Sequence, residues 1–529
     1  MNQHTMRLSV FFLLMVLAMY HQLVFSQSPG SLDLTFDQDG LAFLQPGQSN
    51  ALGRDLLEQP DGKIIVGGIS NQNGSTDFSL IRLNATGQPD STFGQNGVVN
   101  VDFNALSDIL EGIALDREGR IVAAGYVETG DGFAFGICRY LPDGTPDLDF
   151  GTQGKVQTKI GTTGFCKDVA VMDNNRIVVG GYALDPIQQT NVMVAVRYLE
   201  NGTLDSTFNG TGVVKINTGI GAGVSNALQL QADGSIFLAG QSLNDMTFRW
   251  EMCVVKLDKN GAPDNSWDED GVVFLQNPDH DFTIQAIAIQ QDQKILIGGL
   301  LGTAPSNNRF ALARFNVNGS QDADFGDHGL VINTYGMQNN QIYGVAVQPD
   351  QRILIGGGAL SGNREHFALA RLETDGSFDM SFGNGGKVIT SPGLNDGIEA
   401  IALQSDGKLI VAGESFEGTR FDIVVARYET GLMTAVPSPV NEIIVPSVFP
   451  NPATTQITII IPGMNHGFWQ VALYDNMGRE VLRLPMQPTT SGEELSFTIN
   501  LPDTLPSGIY YLSARDQTTV YTASISIAK

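Results

Sequence analysis

The stretch Gly87-Gln-Pro-Asp-Ser-Thr-Phe-Gly-Gln-Asn-Gly-Val-Val99 decides the architecture, because versions of it occur seven times in the chain. Its aromatic falls at Phe36, Phe93, Phe150, Phe208, Trp267, Phe325 and Phe382, at intervals of 57, 57, 58, 59, 58 and 57 residues. Three residues before each aromatic stands an aspartate: Asp33, Asp90, Asp147, Asp205, Asp264, Asp322 and Asp379. Four residues after it stands a glycine. A fixed period of this size marks a repeat architecture. Working outward, each period predicts four short β-strands. One follows the aromatic turn, as at 97–101. The next alternates apolar residues with others, as in Ile398–Leu403. A third comes after an Asp-Gly or Glu-Gly turn, whose residues accept the positive φ a hairpin needs. The fourth ends in a basic residue: Arg82, Arg139, Arg197, Lys256, Arg314, Arg371 or Arg427.

Seven units of four antiparallel strands predict an all-β, seven-bladed β-propeller over residues 27–431, with an open solenoid as the competing arrangement. The third run holds a glycine in every repeat, at Gly68, Gly125, Gly181, Gly240, Gly299, Gly357 and Gly413. A glycine inside a strand implies a close neighbour, here a backbone or ring of a crowded blade. The recurring aromatic reads as filler between blades. The phase adds a clue: the first run, Gly40–Gln45, precedes any blade of its own. It is expected to pair with the strands of 398–428 and close the ring. These residues resemble the delta-60 repeat family over about Leu32–Gly431, most clearly in QPDGKIIVGG (59–68) and PDSTFGQNGVV (89–99). The resemblance implies propeller-like repeats of a secreted bacterial protein and brings no particular reaction.

Met1–Ser26 reads as a secretory signal peptide, with Arg7 before an apolar run from Leu8 to Tyr20 and cleavage near Ser26-Gln27. No cysteine follows that run to carry a lipid. Residues 432–445, with Pro437 and Pro439, read as a linker. From 446 to 529 alternating runs predict a small Ig-like β-sandwich. FPNP (449–452), LYDNMGREV (473–481) and SGIYYL (507–512) resemble, in order and spacing, the C-terminal sorting domain of the type IX secretion system of Bacteroidetes-type bacteria. That resemblance implies recognition by the secretion machinery, passage across the outer membrane, and release or attachment at the cell surface.

Fifty-six acidic against 30 basic side chains give a net charge of −26, which repels phosphate backbones and excludes nucleic acid as a partner class. Three cysteines do not make a disulfide framework. Cys138 occupies a slot filled elsewhere by Ala313, Ala370 and Ala426, so it reads as a small buried thiol, with a Cys138–Cys166 bridge left open. The histidines of the mature chain (His280, His328, His366, His466) neither recur nor lie at metal-ligand spacing. No nucleophile elbow, phosphate loop or metalloprotease helix is present, so no enzyme is expected. Seven-fold recurrence assigns the aspartates and basic residues to structure, as turn caps or ion pairs. Asp37-Gln-Asp39-Gly40 and Asp268-Glu-Asp270-Gly271 hint at calcium, but the other five repeats lack these acids, and no cofactor is expected.

Function is expected where the repeats disagree. The two recurring turns share one face of a four-stranded blade and the variable loops share the other. Phe248, Arg249 and Trp250, in the loop 243–252, are the candidate binding residues for a glycan or a protein. The sequence thus reads as an exported, adhesion-type binding module. A secreted polysaccharide enzyme with its site at the channel mouth, and a structural surface protein, are the alternatives. Clustered Asp, Glu, His and Tyr at that mouth would mark the enzyme, and aromatics with amides the binder.

Overall fold

The computed structural model describes residues 27–432 apart from 73, 105, 219–220, 303–307 and 337, and most of the strands between 447 and 527. The signal-peptide segment 1–26, almost all of the linker and the turn at 475–479 lie outside the described residues. The chain divides into two compact units, Met1–Thr434 and Ala435–Lys529.

The first unit is a seven-bladed propeller of four-stranded antiparallel sheets. In blade 1 the order from the axis outward is Ala51–Glu58, Ile64–Gln72, Ser75–Leu83 and Val98–Val101. Blades 2 to 6 repeat it at 108–158, 164–216, 223–275, 281–333 and 344–390. Blade 7 takes three strands from 396–428, and its outermost strand is Leu41–Leu44, which pairs with Ile423–Ala426. The ring therefore closes with the first strand of the chain on the last blade, as the phase of the repeat predicts.

The repeat residues make the contacts between blades. All seven turn aromatics are fully buried. Phe93 packs among Phe78 and Leu80 of blade 1 and Ile121, Ala123 and Cys138 of blade 2. Each turn aspartate accepts from the basic residue of the preceding strand, as in Arg139 Nε to Asp147 Oδ2 at 2.7 Å and Lys256 Nζ to Asp264 at 2.8 Å. Its other oxygen caps its own turn, as in Thr207 N–H to Asp205 Oδ1 at 3.0 Å. The arginine goes further: Arg314 Nη1 donates to Thr374 O of the next blade at 2.5 Å, and its guanidinium lies 4.3 Å from the Phe325 ring centre. At the closure Arg427 donates to Asp33 at 2.7 Å and to Ala85 O at 2.6 Å, tying blade 7 to the first turn and to blade 1. Burial pushes the Asp33 carboxyl up, yet Lys408, Thr35 and Arg427 together hold it well below the usual range.

The second unit forms two four-stranded antiparallel sheets among the described residues. One holds Ser447–Phe449, Gln456–Pro462, Glu494–Asn500 and Thr489–Ser491. The other holds Glu480–Met486, Trp469–Tyr474, Gly508–Arg515 and Val520–Ile527.

Candidate functional site

The innermost strands carry the site, and a β-bulge builds it. In six blades the pairing between first and second strands slips by one residue, as between Gly53 and Asp55 or between Ile398 and Ala400. The unpaired residue is Arg54, Glu111, Lys167, Asn226, Gln285 or Glu399. Tyr343, just before the inner strand of blade 6, occupies the same place. All seven are half-buried and line one cavity of about 770 Å³ on the propeller axis. A bulge re-aims a side chain out of the ladder, and in six of the seven blades it gives one side chain to the channel.

The same bulge explains the strand glycines. A Cβ on Gly125 would lie 1.9 Å from Ile109 O, and one on Gly413 would lie 1.8 Å from Gly397 O. In every blade the blocking carbonyl belongs to the residue two before the channel residue. The channel residue in turn stands 14 positions before the glycine in all seven repeats. That spacing, with a polar residue at each position, is the sequence signal that would have found the ring.

The ring is chemically uneven. Arg54 Nη1 lies 3.5 Å from Glu399, and Lys167 pairs with Glu111. Lys167 Nζ also lies 5.7 Å from the centre of the Tyr126 ring. Burial, with Glu111 and Glu365 nearby and Arg54 opposing, raises the Glu399 carboxyl above the usual range. Glu414 is raised by burial and by Glu399, and its Oε2 is buried without a hydrogen-bond partner. Two such carboxyls side by side oppose each other's ionisation. Asp55 and Asp168 sit behind the ring and latch neighbouring blades, accepting from Ile113 N–H at 2.8 Å and from Leu228 N–H at 2.7 Å. Burial pushes them up to about 6 and about 7. Asn226 Nδ2 makes a similar latch to Ile284 O at 2.8 Å.

The variable-loop face carries a second gathering. Asp77, Asp102 and Asp108, at the junction of blades 1 and 2, bring carboxylate oxygens within 4.8 Å of one another. At the junction of blades 6 and 7 the corresponding positions are His366, Ser391 and Asp396, with Ser391 Oγ 2.7 Å from His366 Nδ1. The carboxylates of the two Asp-x-Asp-Gly turns have a local use instead: Asp39 accepts from Leu41 N–H and Asp270 from Val272 N–H, both at 2.9 Å.

Phe248, Arg249 and Trp250 lie at the tip and on the returning strand of the hairpin formed by Ile236–Asn244 and Arg249–Leu257. Phe248 is 78% exposed, with Met246 beside it at 92%. Trp250 is half-buried, its backbone N–H donating to Asp281 Oδ1 at 3.1 Å, and Arg249 lies 3.8 Å from the same oxygen. Cys138, Cys166 and Cys253 are buried free thiols.

The family described as a domain of unknown function (DUF5122) beta-propeller matches residues 59–93, 119–150, 173–208, 290–325, 348–382 and 404–431. The secretion system C-terminal sorting domain matches 447–528. No curated protein matches the sequence. Among solved structures, a polysaccharide lyase, an ulvan lyase bound to -[GlcA(1-4)Rha3S]-, is 12% identical with a TM-score of 0.45, covering 73% of this chain and 96% of that one. The acylaminoacyl peptidase of Pyrococcus horikoshii is 8% identical with a TM-score of 0.37, covering 79% and 58%. These are likenesses of fold.

The expectation of a non-enzyme, which rested on finding no catalytic constellation, is corrected. The fold brings Glu111 and Glu399 into the lining of one channel and gathers the carboxylates of Asp77, Asp102 and Asp108 at a blade junction. Glu111 and Glu399 stand on different blades and the three aspartates on two, so neither group forms a local motif in the chain. Among the described residues no helix is long and apolar enough to cross a membrane. The chain carries a DUF5122 β-propeller followed by a type IX secretion sorting domain, which routes it to the cell exterior or surface.

Proposed function

We propose that the propeller is a secreted glycoside-cleaving enzyme acting on polysaccharide, with its acid–base groups in the central channel. The observation that carries this reading is that two carboxyls, Glu111 and Glu399, line one cavity in different surroundings. Glu111 is paired with Lys167; Glu399, although Arg54 lies 3.5 Å away, is raised above the usual range by burial, and Glu414 behind it is raised by burial and by Glu399. A carboxyl that burial favours in its protonated form suits the acid's part, and a carboxylate held by a lysine the base's. Glu399, with Glu414 behind it, gives its proton to the glycosidic oxygen as the carbon–oxygen bond breaks. Glu111 takes a proton from the water that attacks the anomeric carbon. Asn226, Gln285 and Tyr343 add amide and hydroxyl groups to the wall, suited to sugar hydroxyls. An elimination route would need a base for a carbon-bound proton. Burial raises both Tyr126 (to about 12) and Tyr343, which opposes that role.

Phe248, Arg249 and Trp250 form, in this reading, an accessory contact for the polymer on the variable-loop face. The two sheets of the sorting unit are read as an Ig-like sandwich. The test is product analysis of the purified mature chain on a panel of polysaccharides, following new reducing ends and unsaturated sugars separately. Glu399→Gln and Glu111→Gln are each expected to lower the rate by about 10²–10⁴-fold, the usual worth of a positioned acid or base. Unsaturated products would replace hydrolysis by elimination. No turnover across the panel, or full activity in both variants, would end the proposal.

A further inference from the structure

We propose that Asp77, Asp102 and Asp108 form a calcium site that staples blade 1 to blade 2 on the variable-loop face. The three residues come from separate segments: Asp77 from the third strand of blade 1, Asp102 from the residue after its outermost strand, and Asp108 from the start of the inner strand of blade 2. Their carboxylate oxygens lie within 4.8 Å of one another, which suits a cation–oxygen distance of about 2.4 Å, calcium's range. Asp77 and Asp108 are buried, and Asp102 is exposed.

An independent observation points to a ligand. Asp108 Oδ2 accepts from Phe103 N–H at 2.8 Å, but Asp108 Oδ1 is buried without a hydrogen-bond partner. A buried acceptor left unmade costs about 1–3 kcal/mol, and a cation removes that cost. Charge balance points the same way. The cation beside the group is Lys155, whose Nζ donates to Asp102 O at 2.6 Å and lies 5.5 Å from the Phe103 ring centre. Three carboxylates, Lys155 and one divalent cation sum to zero. The donors are all oxygen, which favours a hard cation over zinc or copper.

The repeat supplies its own control. The same three slots hold Ala134, Lys159 and Gly164 at the next junction, and Val192, Asn217 and Gly223 at the one after. Blades therefore join without acids in these places, and the trio is not a requirement of the fold.

The experiment uses the full mature chain, stripped with a chelator, titrated with calcium by calorimetry and melted with and without it. One site with a dissociation constant in the extracellular range of about 10⁻⁴–10⁻³ M is expected, with a Tm rise of about 2–4 °C at 10 mM calcium. Asp102→Asn, at an exposed position that leaves folding intact, should abolish both. Asp270→Asn, in one of the Asp-x-Asp-Gly turns, should leave the calcium increment unchanged. Absence of a site in the parent, persistence of the increment in Asp102→Asn, or equal affinity for magnesium would each overturn the assignment.

Discussion

Replacing Asp33 by Asn tests whether the ring is held shut where the first turn meets the last blade. The Asp33 side chain is 1% exposed and that of its partner Arg427 is 6% exposed. Asn keeps an acceptor for Thr35 N–H, now 3.0 Å away, but removes the charge facing Arg427 Nε and Lys408 Nζ, both at 2.7 Å. Breaking a buried pair from one side typically costs about 3–5 kcal/mol. Arg427 keeps Ala85 O at 2.6 Å and the Phe36 ring at 4.7 Å, which argues for the lower end, about 3 kcal/mol. The loss falls on a short edge segment. Residues 30–44 are held to blade 7 by Gly30 N–H to Glu429 O, by Asp33 N–H to Arg427 O and by the Leu41–Leu44 pairing. Local opening there should rise by about two orders of magnitude, since 1.4 kcal/mol is tenfold. Limited proteolysis under native conditions, with mass mapping of the first cut, reads this directly. Asp205→Asn breaks the same kind of pair inside the ring and should destabilise the whole without favouring cleavage in 27–44. The reasoning is refuted if Asp33→Asn is cut there no faster than the parent. It is equally refuted if its urea midpoint moves no more than that of the exposed Asp61→Asn.

Two further outcomes follow from the geometry. Gly413→Ala brings a Cβ to 1.8 Å from Gly397 O, so it should cost more than the about 1–3 kcal/mol of ordinary overpacking and displace Glu399, while Gly397→Ala, whose Cβ meets nothing nearer than 3.6 Å, should melt like the parent. In Asp33, Asp90 and Asp379 burial is outweighed by hydroxyl and cation partners, so their folded pKa values are depressed; that stability is present above the unfolded value near 3.8 and lost as pH falls through the folded ones. Asp55 and Asp168 are raised by burial to about 6 and about 7, so their contribution is present below about pH 4 and lost as pH rises through those values. Tm should therefore peak between about pH 4 and 6, and a Tm still climbing from pH 6 to 8 would contradict the cost assigned to these two groups.

What recurs was legible in the sequence, because recurrence is a property of the string. The turn aromatics, the Asp–Arg pairs and the closing strand all follow from period and phase. In the second unit the short pairing strand Thr489–Ser491 and its neighbour Glu494–Asn500 lacked a motif and went unread. The channel ring was missed for a different reason. Alternation in Ala51–Glu58 looks like a plain strand, and only the pairing shows that the register slips at Arg54. The aspartate trio was hidden by distance along the chain, since positions 77, 102 and 108 meet only where two blades abut.

Bulge and glycine are one device, and that bears on how such a chain acquires chemistry. The extra residue turns its own side chain out of the ladder, and the blade accommodates the carbonyl two residues earlier by having no Cβ opposite. The fold is therefore strict about Gly68, Gly125 and their counterparts and tolerant of the channel residue, whose side chain lies outside its own ladder. That tolerance is visible within the chain: the bulged slot accepts Arg, Glu, Lys, Asn and Gln, and the matching place in blade 6 holds Tyr343. Stability and chemistry are thus carried by different residues of the same bulge. A propeller built this way can change what lines its axis, one blade at a time, without renegotiating how its blades pack.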